Sequence, residues 1–263
     1  MKEIFGTKEW ASSNHNIQYG CENNCKYCYA RAMALRHGKI DPQKWDKPIL
    51  RKDKIRAKFG KRDGTIMFPT THDITRSNCD ECINALMGML KAGNKVLVVS
   101  KPVPELIDRI CCTECASYQD QILFRFTIGS TNDTVLGFWE PGAPKFKARL
   151  KALELAYKTG FQTSVSMEPF LDNKPEKVVE TVRPFVTDAI WIGKANLLVE
   201  RLKMNGEWDD ITANEAANIR QFQSDKNIKT LYEKYKDDPM IKWKESIKKV
   251  VGLELPTEPG LDI

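Results

Sequence analysis

A chain of 263 residues, 41% of them hydrophobic and 29% charged, is long enough for one α/β barrel or two small domains, and its composition excludes a disordered or fibrous protein. No apolar run approaches the ~20 residues that cross a bilayer, and the start, Met1-Lys2-Glu3-Ile4-Phe5, lacks the apolar core of a secretion signal, so a cytoplasmic protein with no membrane partner is expected. The net charge of +6 is unevenly spread, because residues 31–62 carry twelve Lys or Arg against Asp41, Asp46 and Asp53, a local net of +9. A polyanion such as DNA or RNA would prefer that face, while the plainer reading is a solvated surface.

In chain order, a first short strand is expected at Asn16 to Tyr19, before a cysteine-rich loop, and the basic segment then leads to Thr65. From there apolar runs alternate with amphipathic helices, and strands are predicted at Thr65 to Phe68, Val96 to Ser100, Ile122 to Ile128, Thr163 to Met167 and Ala189 to Ile192. Between them, Asn78 caps a helix with Ile83, Leu86, Met87 and Leu90 on one face that ends at Gly93. Further helices follow Pro104, Pro144 (ending at Gly160) and Pro175. Six such units predict an α/β fold, a partial (β/α)6 barrel of parallel strands over residues 1–200, whose ligands gather at the carboxyl ends of the strands. Residues 201–263 read as a C-terminal helical extension. Thr212 and Glu215 stand at capping-box spacing, Pro239 opens the last helix, and Trp208, Phe222, Leu231, Tyr232 and Trp243 supply faces to bury.

The loop at 21–28 carries the chemistry: Gly20-Cys21-Glu22-Asn23-Asn24-Cys25-Lys26-Tyr27-Cys28-Tyr29-Ala30 sets three cysteines in a compact stretch rich in Asn and Gly. Eight cysteines in a cytosolic chain favour metal binding over a disulfide framework. Three close thiolates can face one metal centre, with backbone N–H groups of the loop bonding to sulfur. A cubane of four irons held by three thiolates keeps one iron open, whereas an electron-transfer cluster closes all four positions. Structural zinc would want a fourth ligand, and neither His15 nor His37 continues the pattern at a usual spacing.

This loop resembles the CxxxCxΦC signature of the radical S-adenosylmethionine (SAM) superfamily, with Tyr27 as the aromatic residue Φ. The resemblance implies Cys21, Cys25 and Cys28 as ligands of a [4Fe-4S] cluster, SAM chelated by the open iron, an external electron donor, and cleavage of SAM to methionine and a 5′-deoxyadenosyl radical. More narrowly, Asn16-Ile17-Gln18-Tyr19-Gly20-Cys21 and Tyr27-Cys28-Tyr29-Ala30-Arg31 are similar to the group that contains spore photoproduct lyase and the DNA repair photolyases. Ser100-Lys101, Glu140-Pro141-Gly142-Ala143-Pro144 and Arg149-Leu150-Lys151-Ala152-Leu153 continue that similarity. One departure matters. The hydrogen-donating cysteine of spore photoproduct lyase has no counterpart in Met67-Phe68-Pro69-Thr70-Thr71-His72-Asp73, so a shared scaffold with a different substrate is implied.

On that scaffold the SAM contacts would come from the strand ends: Thr70, Thr71, His72 and Asp73 at the methionine amino end, Lys101 at the carboxylate, and Thr127 and Ser130 at the ribose. Glu168 ends the next strand, Trp191 and Gly193 close the last against adenine, and Tyr27 joins the set. Tyr29, Trp45 and Phe59 could add base stacking to the basic face. Cys79-x2-Cys82 and Cys112-x2-Cys115, with Cys111 adjacent, have the spacing of a second metal site or of thiols packed on helices. The leading expectation is a radical SAM enzyme of lyase or transferase type whose substrate is open, with nucleic acid favoured by the basic segment and the photolyase-like resemblance. A non-catalytic iron–sulfur or zinc protein that binds nucleic acid, and a radical SAM enzyme modifying a peptide or small metabolite, stay open beside it.

Overall fold

The computed structural model describes residues 4–261. Its strands are β1 (Ser13–Asn14), β2 (Gln18–Tyr19), β3 (Ile49–Leu50), β4 (Thr65–Phe68), β5 (Lys95–Ser100), β6 (Ile122–Thr127), β7 (Gln162–Met167), β8 (Ile190–Ile192) and β9 (Ile241–Trp243). Seven of them form one parallel sheet in the order β1-β4-β5-β6-β7-β8-β9, and β2 pairs with β3 in a separate antiparallel ribbon. The crossovers carry helices α1 (Tyr29–Arg36), α2 (Lys52–Ile55), α3 (Cys79–Lys91), α4 (Pro104–Cys112), α5 (Asp133–Trp139), α6 (Phe146–Lys158) and α7 (Pro175–Val182). After β8 come α8 (Leu198–Met204), α9 (Asp210–Phe222) and α10 (Asp225–Tyr235), and α11 (Glu245–Val251) follows β9.

The alternation of side chains along each strand splits the core in two. Ile66, Phe68, Val96, Val98, Phe124, Phe126, Val165, Ile190 and Ile192 face the helices and pack with Leu86, Leu90, Ile107, Ile110 and Leu153. The intervening residues Met67, Leu97 and Trp191 face inward and meet Trp10 and Ala11, which close that side. Arg125 also points inward. Its guanidinium lies 4.8 Å from the Trp10 ring and 5.2 Å from Trp191, and bonds to Ser164 Oγ and Asp188 Oδ2 at 2.9 Å each, so this buried cation is neutralised and stacked rather than free.

The five predicted strands from Thr65 to Ile192 form as β4 to β8, but both ends of the sheet differ from expectation. The segment Asn16 to Tyr19 does not enter it, because the Ile17 N–H is taken by His72 Nε2 at 3.2 Å and its carbonyl by Arg51 N–H at 2.7 Å; Ser13 and Asn14 pair with β4 instead. At the other end the segment read as helical contributes β9, where buried Ile241 and Trp243 flank half-buried Lys242 with the period of a strand. Pro239 therefore leads into a strand. The cap of α9 is Asp209, whose carboxylate accepts the Thr212 N–H at 2.7 Å, rather than Thr212 with Glu215. Trp208 is 41% exposed under the Lys203 ammonium instead of buried.

Phe124 anchors the outer core against Phe126 and Phe161, both 5.3 Å away, and is fully buried. Phe124→Ala is expected to destabilise the fold by about 3–5 kcal/mol, read as a lowered midpoint in urea unfolding at unchanged slope.

Candidate functional site

The cysteine loop runs from β2 to the start of α1, and its path is fixed by backbone contacts. Gly20 takes a φ of +87°, and a Cβ there would lie 2.7 Å from the Trp45 carbonyl that accepts the Cys21 N–H at 2.8 Å. At the far end Cys28 caps α1, its sulfur accepting the Arg31 N–H at 3.4 Å. From the other side the turn after α5 docks directly on the loop: Gly142 N–H donates to the Asn23 carbonyl at 3.1 Å, and Lys26 N–H to that of Trp139 at 3.0 Å. A Cβ on Gly142 would sit 2.2 Å from the Glu22 carbonyl oxygen, so only glycine allows this approach.

Asp73, in the turn after β4, is the hub beneath the loop. Its carboxylate accepts from Asn23 Nδ2 (2.8 Å), Ser100 Oγ (3.1 Å) and Lys101 N–H (2.6 Å), while its own N–H points at Cys21 Sγ (3.4 Å). Burial alone would raise this carboxyl, but the Lys101 ammonium and these hydrogen bonds outweigh it and hold it below its ordinary range. Lys101 Nζ bridges Asp73 Oδ2 at 3.7 Å and Glu140 Oε1 at 3.9 Å. Glu140 in turn accepts the Tyr27 hydroxyl and, at 2.5 Å, the Arg149 guanidinium, in a pair whose side chains are both fully buried. Removing one member of such a pair leaves an uncompensated buried charge and costs about 3–5 kcal/mol.

The structure thus brings Cys21, Cys25, Cys28, Tyr27, Asp73 and Lys101 to one place at the carboxyl ends of β4 and β5. Thr70 and Thr71 sit beside it, their N–H groups held by Asn16 Oδ1 at 2.7 and 2.9 Å and the Thr70 carbonyl by the Tyr29 hydroxyl. The remaining candidates are engaged elsewhere. Ser130 bonds to Asp172, and the Thr127 carbonyl accepts from Arg149. Glu168 pairs with Lys244 at 3.5 Å, and Gly193 is wedged against both of those side chains. Trp191 is enclosed by Trp10 and Arg125. No sequence signal marks Glu207, which holds Lys26 (3.0 Å) and Arg31 (2.9 Å), or Asn205, whose amide donates to the Lys26 and Cys28 carbonyls, although both brace the loop from beyond α8.

The donor set fits an iron–sulfur cluster. All three cysteines are free, backbone N–H groups are aimed at two of the sulfurs, and Lys101 supplies positive charge toward Cys25 and Cys28. Burial pushes all three thiols up, above all Cys21 and Cys25, so ligation must displace their protons. Among the described residues no group of three or more His, Cys, Asp or Glu side chains converges where one metal ion could sit. Among the other cysteines, Cys82 bonds to Asn78, Cys112 to Asp108, and Cys115 lies 3.4 Å from Met87 Sδ.

Two measurements probe this scaffold. Gly142→Ala is expected to displace the loop, lowering the iron and sulfide retained after anaerobic reconstitution and costing about 1–3 kcal/mol of stability. His72 is the second. Its ring is buried, with Nε2 accepting from Ile17 and Nδ1 against the Asp73 carbonyl, and burial lowers its pKa from 6.5 to about 4. A histidine depressed in the fold takes up its proton more readily when unfolded, so the stability it allows is complete above pH 6.5 and drains away as the pH falls towards 4. His72→Gln should flatten that loss, of order 3 kcal/mol, in chemical denaturation series between pH 4 and 7.

No family model matches the chain. The uncharacterized protein ORF301 of Acidianus two-tailed virus is 26% identical over 180 residues, covering 64% of this chain, which spans 58% of the viral protein. Among solved structures, a spore photoproduct lyase mutant superposes with a TM-score of 0.52 at 12% identity, covering 88% of this chain and 80% of that one. Another mutant of that lyase, with bound AdoMet and dinucleoside spore photoproduct, gives 0.50 at 16% identity over 75% and 60%. SuiB of Streptococcus suis, bound to its precursor peptide SuiA, gives 0.53 at 8% identity over 93% and 51%. The chain therefore has the fold shared by spore photoproduct lyase and SuiB.

Proposed function

We propose that this chain is a radical SAM enzyme acting on nucleic acid, with Cys21, Cys25 and Cys28 as ligands of a [4Fe-4S] cluster. The observation that carries the reading is the convergence of those thiols with Asp73 and Lys101 at the strand ends of this fold. When bound and reduced, such a cluster supplies the electron that splits SAM into methionine and a 5′-deoxyadenosyl radical. The residues of the chain do the holding. The turn from Thr70 to Asp73 is the place for the SAM amino group, and the Lys101 ammonium, fixed between two carboxylates, is the donor for its carboxylate. Thr70, Thr71 and Thr127 extend the strand-end ring toward ribose and adenine, whereas Ser130, Glu168, Trp191 and Gly193 already have partners within the fold. Tyr27 keeps its hydroxyl on Glu140 and so positions the loop.

The substrate class rests on the basic segment. Arg36, Lys39, Lys44, Lys47, Lys52, Arg56, Lys58 and Lys61 are exposed there, whereas Arg31 is tied to Glu207 and Arg51 lies over the Tyr19 ring. Phosphates neutralised by such a face make binding fall steeply with salt. Stacking by the three aromatics does not follow: Trp45 is 2% exposed, Phe59 packs on Gly88 and His15, and Tyr29 is bonded to Thr70. With no thiol in residues 67–73, thymine-dimer reversal through a cysteine there is not the reaction proposed. Among the described residues no helix is long and apolar enough to cross a membrane.

Anaerobically reconstituted protein, given dithionite and SAM, is expected to release 5′-deoxyadenosine, with more formed when a DNA or RNA substrate is present. Cys25→Ala should release none. Lys101→Ala should raise the KM for SAM about 10- to 100-fold, the loss of one charge-assisted contact. No product from the wild-type protein, with its metal content intact, would sink the proposal and favour a structural metal.

A further inference from the structure

On the outer side of the cysteine loop lies an open bowl of about 720 Å³, walled by the starts of α4 and α6. Its floor is the backbone of Glu22 and Asn23, the two residues that follow Cys21, pressed against Gly142. Its rim holds Arg76, Glu105, Lys145, Lys147 and Lys151. Arg76 pairs with Glu105 at 3.5 Å, whereas the three lysines are exposed and their ammonium groups make no ion pair or hydrogen bond among the described residues. They face only Glu22 among the other charged lining residues, a local net of +2. This cationic patch lies outside the basic segment at 31–62. It also stands where solvent comes within one layer of backbone of the cysteine loop, because Gly142 places no side chain between them.

From this juxtaposition we infer that the bowl is the docking surface for a small acidic one-electron carrier protein, ferredoxin-like or flavodoxin-like. The inference rests on the proposed function, which requires an electron to reach the three-cysteine centre. The carrier is oxidised by one electron and the centre reduced by one, with no bond made or broken. Complementary charge at a rim chiefly sets the rate of encounter and its salt dependence. Unpaired lysines around a concave floor beside the redox centre are suited to that task.

The test uses the full chain, wild type and the triple variant Lys145→Glu/Lys147→Glu/Lys151→Glu, with a reduced acidic ferredoxin as the probe. The variant should keep its melting temperature and its dithionite-driven yield of 5′-deoxyadenosine, while the ferredoxin-driven rate falls about tenfold or more and loses its salt dependence. Calorimetric titration of ferredoxin into cluster-free protein should show the same loss of affinity, a readout independent of turnover. An unchanged ferredoxin-driven rate and affinity overturns the inference, as does an equal fall in the dithionite-driven yield. If the variant loses affinity for a single-stranded oligonucleotide but not for ferredoxin, the surface belongs to nucleic acid and the inference also fails. Absence of dithionite-driven product from the wild type sinks the proposed function instead, and the titration still decides the docking surface.

Discussion

One buried carboxylate organises the site. Asp73 leaves the end of β4 and accepts hydrogen bonds from the cysteine loop and from the end of β5, so two strand ends and the loop are fixed relative to one another by a single side chain. Such a group is tolerable away from water only when each of its lone pairs is satisfied. The surrounding sequence supplies those donors: Asn23 within the loop, Ser100 and the Lys101 amide on the neighbouring strand, and the Lys101 ammonium above. Lys101 then passes the constraint outward to Glu140, and Glu140 to Tyr27 and Arg149, until the turn at Gly142 is clamped against the loop it helps to shape.

Much of this was legible in the amino-acid order. The βα units between Thr65 and Ile192 announce themselves because buried parallel strands are continuous apolar runs and their helices begin at Pro or end at Gly, signals that act over a few residues. The three cysteines of the loop were readable for the same reason, since they stand within one short stretch of sequence. Illegible were the partners that arrive from far away. Glu207 lies 181 residues from Lys26, and Asn205 177 from Cys28. Nothing near them marks their role. Ile17 misled because its strand-like surroundings are overruled by two tertiary hydrogen bonds, and Ile241 to Trp243 because a three-residue edge strand is too short to show a period.

The candidate contacts at the later strand ends illustrate a different gap. Position relative to a strand can be read from sequence, but whether a polar atom is free cannot. Ser130 stands where expected and is already bonded to Asp172, and Trp191 points inward as a strand residue must, yet is covered by Trp10. The periodicity of a strand fixes direction; occupancy is decided by side chains from other segments.

The last of these distant partners has a consequence for how the molecule is made. Lys244, with its side chain fully buried, reaches Glu9 Oε1 at 2.6 Å and the Gly6 carbonyl at 3.0 Å, so the inward side of the sheet is sealed by two segments more than 230 residues apart. Closing a loop of that length is slow compared with forming any neighbouring βα unit. During synthesis the early strands and the cysteine loop emerge long before the lysine that pairs with Glu9, a carboxyl that burial raises from 4.5 to about 8 even against the pull of Lys244. The nascent chain therefore carries an unsealed inner face until the segment around Lys244 has been made.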